Sequence, residues 1–179
     1  MRQSHKLSEQ EREYLSEIVE SSMRVVNRHQ FFNWSQGTLQ RLIPHEILIC
    51  GVDDGARRGF EHYHFESTRY FREEHFAAAC QVDSGLLRQL QQISKRTGNH
   101  IVVSPSFSTP DDEQDAALLA FVQQNEMKNL VAALCVGPRG KVQAFYSFSR
   151  VEPLTAQTAF FAELIAPCLH VTFLRVLMS

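Results

Sequence analysis

Hydrophobic residues recur along this chain in two rhythms, a helical one of three to four residues and a second made of short unbroken runs. Over residues 8–28, Leu15, Ile18, Val19, Ser22, Val25 and Val26 fall on one helical stripe, and Ser8 followed by Glu11 has capping-box spacing. The pattern predicts a long amphipathic first helix. A second helix, from Gln30 to Leu42, carries Phe31, Phe32, Trp34, Leu39 and Leu42; Gly37 weakens its middle and Pro44 ends it, because the residue before a proline is pushed out of the helical region. Glu46 to Val52 (EILICGV) reads as a buried central strand, 53–59 as a hairpin turn, and Gly59 to Ser67 as a half-exposed strand. On that strand Phe60, His62 and His64 share one face, and Glu61, Tyr63 and Phe65 the other. Residues 68–82 hold no sustained period and read as an irregular connection with one helical turn.

The later half repeats the alternation. Leu86, Leu87, Leu90 and Ile93 predict a helix capped by Asp83 or Ser84, with Lys95 and Arg96 in its last turn and Gly98 just past its end. His100 to Ser104 is a short strand. Thr109 as N-cap and Pro110 at the first helical position then start a helix that ends near Asn125. Leu130 to Val136, the turn Gly-Pro-Arg-Gly, and Val142 to Phe148 form an antiparallel hairpin. Thr155 caps the last helix, in which Phe160, Phe161, Leu164, Ile165, Cys168, Leu169, Thr172, Phe173, Val176 and Leu177 recur as adjacent pairs around a kinking Pro167. Such a wide apolar face exceeds what one core absorbs, and no Gly, Asn or Pro stop follows it. The expected fold is α+β: one domain over residues 1–179, with a central antiparallel sheet of five or six strands flanked by helices and long N- and C-terminal helices.

Composition narrows the function. A net charge of -2 lacks the basic footprint of a nucleic-acid-binding domain, so any contact with DNA falls to another segment. No uninterrupted apolar run approaches the length of a membrane span, and the N-terminus has no apolar signal region, which makes a cytoplasmic protein with no membrane partner the simplest expectation. Cys50, Cys80, Cys135 and Cys168 are widely spaced beside apolar residues and read as small buried hydrophobes; the structural reading is weakest for Cys80, yet no activating pair is visible for it or for a histidine. His62-x-His64, with His45 and His75, supplies too few converging ligands for a metal, and no glycine pattern matches a phosphate or dinucleotide cradle. No catalytic residue, metal or cofactor is therefore expected. Each aromatic singly is core, but Tyr63, Phe65, Tyr70, Phe71, Phe76 and Tyr146 together are candidates to line a small-molecule pocket under residues 67–82. Surplus apolar width points to a homodimer, with Val19, Phe161, Leu169, Phe173 and Val176 as candidate contacts.

Two stretches carry a resemblance. Trp34 to Cys50 (WSQGTLQRLIPHEILIC) and Pro153 to Arg175 (PLTAQTAFFAELIAPCLHVTFLR) resemble the N-terminal sensory region of LuxR-type transcription regulators, most closely the EpsA-type regulators associated with exopolysaccharide gene clusters. The resemblance implies a GAF-like sensory domain that precedes a helix-turn-helix domain not found in these 179 residues. Trp34 stands alone, so the lactone pocket of related receptors, built on several tryptophans with a Tyr and an Asp, is not carried over. The expected role is non-enzymatic: a dimeric domain whose last helix relays an input to DNA-binding domains, the alternative being a purely structural dimerisation module without ligand.

Overall fold

The protein is described by a computed structural model covering residues 5–55, 59–107 and 112–179. The helix α1 (Glu9–Ser22) opens on the capping box foreseen at Ser8 and Glu11. It ends earlier than the stripe suggests: Val25 continues into the core from a turn, and α2 (Arg28–Gln36) restarts under an Asn27 cap. Gly37 does more than weaken α2. It ends the helix, and a separate 3-10 turn (Thr38–Arg41) carries the chain to Pro44. Strands β1 (Ile47–Asp53) and β2 (Phe60–Glu66) follow, then α3 (Glu73–Ala79), a helix of seven residues where one turn was expected.

The helix α4 (Leu86–Thr97) begins after Gly85, with neither Asp83 nor Ser84 as cap, and closes on Gly98 in the left-handed conformation. After β3 (Ile101–Ser104) comes α5 (Glu113–Gln124), capped by the Asp112 carboxylate on Gln114 N–H at 2.7 Å. The start expected at Thr109 and Pro110 lies outside the described residues. Strands β4 (Asn129–Val136) and β5 (Val142–Arg150) form the hairpin, and α6 (Ala156–Met178) closes the fold under the Thr155 cap, continuous through Pro167.

The sheet has five strands in the order β2-β1-β5-β4-β3, all antiparallel, which fixes the expected number at its lower value. Alternation along the strands produces two cores. Leu48, Cys50, Phe65, Val131, Tyr146 and Phe148 pack beneath α1, α2 and α6. Ile47, Ile49, Val102, Leu130, Ala132 and Phe145 pack beneath α3, α4 and α5. Close approach explains Gly51: a Cβ there would lie 2.1 Å from the Phe145 ring, its neighbour on β5.

Phe173 is the hub of the first core, with Phe31, Tyr63 and Tyr146 at ring separations of 5.0, 5.3 and 6.2 Å. Helix α6 is also more apolar than unbroken runs suggested. Its 23 residues are long and apolar enough to cross a membrane by length and composition. Charged and polar positions interrupt the runs without offsetting that composition. Here Phe161, Ile165, Leu169 and Phe173 of this helix are buried in the protein's own core.

Candidate functional site

The six aromatic residues expected to line one pocket are divided by the sheet. Tyr63, Phe65 and Tyr146 belong to the α1–α2–α6 side, whereas Tyr70, Phe71 and Phe76 belong to the α3–α5 side. Strand alternation turns Tyr63 and Phe65 away from His62 and His64, and the segment after β2 packs on the histidine side, where His64 meets Phe76 at 4.2 Å. Most of the expected dimer contacts are likewise placed elsewhere: Phe161, Leu169, Phe173 and Val176 are buried within the protomer, and only Val19 among the five is exposed.

An open cleft of about 760 Å³ lies instead between the β3–β4 half of the sheet and α6. Ile101 and Val103 come from β3, Ala133 and Cys135 from β4, and Phe107 from the following loop. The α6 wall is Ala156, Ala159, Phe160, Glu163, Ala166, Pro167 and His170, one helical face at steps of three and four residues. Three of those positions are alanine, so the helix stands over the sheet without filling the space beneath it.

Two groups give the cleft its chemistry. The Tyr146 hydroxyl lies 2.6 Å from His170 Nδ1. Burial drives the tyrosine pKa well above its usual value and lowers that of His170, so the phenol keeps its proton and the imidazole is neutral. Cys135 borders the same space, with burial pushing its thiol up to about 11. A neutral thiol of that kind is a poor nucleophile. Cys80 is also held near 11 by burial, which gives no support to a reactive cysteine.

A second set of polar groups lies on the opposite side of the sheet. Ser147 pairs with Ile49 and Ala132, Ser149 with Ile47 and Leu130, and Ser104 with Leu130, so all three point into the α3–α5 layer. Their hydroxyls, like His62 Nε2, are buried and make no hydrogen bond among the described residues. His64 is held at 2.6 Å by Glu66, and His45 is buried at the other side of the sheet, donating Nδ1–H to the Ile43 carbonyl at 2.6 Å with its pKa lowered by burial to about 4. The histidines thus do not converge. Among the described residues no group of three or more His, Cys, Asp or Glu side chains could hold a metal ion.

Sequence reasoning missed the cleft because its walls come from β3, β4 and α6, elements that only the strand order brings together. The available signal was the run of small residues at Ala156, Ala159 and Ala166 on an otherwise bulky helix.

Five antiparallel strands between two helical layers define a GAF-like α/β/α domain. The fold is that of the ligand-binding domains of LuxR-family regulators. The N-acylhomoserine-lactone-dependent LuxR-family transcription factor CepR2 from Burkholderia cenocepacia superposes with a TM-score of 0.57 at 15% identity, covering 93% of this chain and 94% of that one. The ligand-binding domain of VqsR from Pseudomonas aeruginosa gives 0.53 at 12% identity over 96% and 98% of the two chains. A far-red-absorbing biliverdin-bound protein, JSC1_58120g3, gives 0.59 at 12% identity over 91% and 98%. Identities this low establish a shared fold. No protein-family model and no curated protein sequence matches the chain.

Proposed function

We propose that this chain is the signal-sensing and dimerisation domain of a LuxR-type transcription regulator, acting without catalysis and relaying its state through α6 to helix-turn-helix domains beyond these residues. One observation carries the reading. Leu164, Val171 and Met178 are exposed on α6 at seven-residue intervals, by 37, 58 and 86%. Residues seven apart fall on one side of a helix, so they make a single exposed apolar stripe on which a second copy can pack. Val19, Met23 and Val26, in and just after α1, are exposed on the neighbouring helix. The parallel course of the two helices is fixed by Glu11–Gln157 near their starts and Ser22–Arg175 near their ends.

A second copy fits this surface better than the buried residues first considered, and it turns the two α6 helices into a common output. Residues 34–50 and 153–175 support an EpsA-type regulator of exopolysaccharide genes working in the cytoplasm. Sedimentation equilibrium at micromolar concentration tests the dimer. The wild type is expected to be dimeric, and Val171→Glu, at an exposed position, to be monomeric with unchanged far-UV circular dichroism. A monomeric wild type would remove the reading.

A further inference from the structure

The cleft under α6 combines apolar surface on both walls, a single formally charged side chain and a donor set by a buried partner, with Asn99, His100 and Gln143 also among its lining residues. Ile101, Val103, Ala133 and Phe160 supply apolar surface on both walls, and Glu163 is the one Asp, Glu, Lys or Arg among its lining residues. An anion entering would leave water to face a carboxylate with no counter-charge, which is costly. The donor follows from the Tyr146–His170 pair. Tyr146 is fully buried, and its proton needs an acceptor, which His170 Nδ1 provides at 2.6 Å. A neutral imidazole that accepts at Nδ1 carries its hydrogen at Nε2. That N–H has no partner among the described residues, and His170 lines the cleft.

We infer that the cleft binds an uncharged, mostly apolar small molecule bearing one hydrogen-bond acceptor, which takes the His170 Nε2–H while the apolar body lies between Phe160 and the β3–β4 surface. Tyr146 is the positioning residue that fixes the histidine tautomer. The alanines at 156, 159 and 166 make room for the molecule, and bulk at any of them fills its place. This deepens the sensory reading and rests on it for the consequence of binding, since occupancy loads the helix proposed as the output.

The test uses the full chain and three matched probes: 2-heptanone, heptanoate and n-heptane. Two-dimensional NMR titration should show 2-heptanone shifting Ile101, Val103, Ala133 and the His170 Nε2 resonance, and binding about tenfold more tightly than heptanoate, whose charge must leave water beside Glu163. His170→Phe should weaken the ketone about tenfold and leave heptane unchanged. Glu163→Gln, an exposed substitution that spares the fold, should narrow the gap between ketone and heptanoate. Equal affinity for the three probes, shifts confined to the α3–α5 side, or no binding at millimolar concentration would each overturn the proposal. Sedimentation of the same samples separates the two ideas: an intact dimer that binds nothing is the scaffold alternative, whereas a monomer that binds the ketone keeps the site and loses the relay.

Discussion

On the face covered by α1, α2 and α6, the buried polar groups are matched. Trp34 Nε1–H donates to the Ile18 carbonyl at 3.2 Å, Ser22 and Thr172 bond backward to their own helices, and Tyr146 holds His170. On the face covered by α3–α5, Ser104, Ser147 and Ser149 are buried to similar depth with no partner among the described residues. One side of a single sheet therefore spends its polar atoms on fixing helices, and the other carries them as an unrecovered desolvation cost of about 1–3 kcal/mol for each group. The difference teaches that burial alone does not reveal what a polar residue contributes; the partner does.

The largest expected effect tests the aromatic side. Phe173→Ala removes the ring that Phe31, Tyr63 and Tyr146 share and should cost about 3–5 kcal/mol of unfolding free energy in urea titrations. A loss below about 1 kcal/mol would mean that this face does not hold α6. Next comes acid. His45 has a folded pKa near 4 against 6.5 when free, so it contributes stability that is complete above the free value and is lost as pH falls toward 4. The loss is on the order of 3 kcal/mol, and His45→Asn should flatten that part of the pH–stability curve. Burial lowers His62 and His170 in the same direction, so the comparison with the variant isolates His45.

Two smaller effects draw the contrast most sharply. Tyr146→Phe deletes a satisfied hydroxyl and should cost about 1 kcal/mol. Ser147→Ala deletes an unsatisfied one and should be neutral or stabilise by up to about 1 kcal/mol. Thermal or urea unfolding of the two variants side by side checks the sign. A destabilising Ser147→Ala would show that the hydroxyl has a partner after all, and would erase the asymmetry between the faces.

The sequence carried the strands and those helix limits that depend on local chemistry: the box at Ser8 and Glu11, Gly98 after α4, Thr155 before α6. It was less informative where two neighbouring signals compete. Val25 and Val26 extend the periodicity of α1, yet the Asn27 cap restarts the helix, and periodicity cannot distinguish one helix from two in phase. The residues expected to share a pocket from Tyr63 to Phe76 are divided by the sheet for a different reason. Tyr63 and Phe65 share one face of β2, whereas Tyr70, Phe71 and Phe76 follow the strand in a connection and helix that cross to the other side of the sheet. Faces of α6 were legible as apolar, but which positions meet the sheet, the cleft or solvent depended on the placement of β3 and β4 beneath it.

Arg175 reaches from the last turns of α6 to the carbonyls of Ser22 and Val25, at 2.9 and 3.3 Å, across 153 and 150 positions of sequence. Cys168 and Ser22 meet across 146, as do Gln157 and Glu11. Closing loops of that length is entropically expensive and slow relative to local pairing. These contacts join the two ends of the sequence, so amide exchange in the first helix is expected to report how firmly the last one is seated.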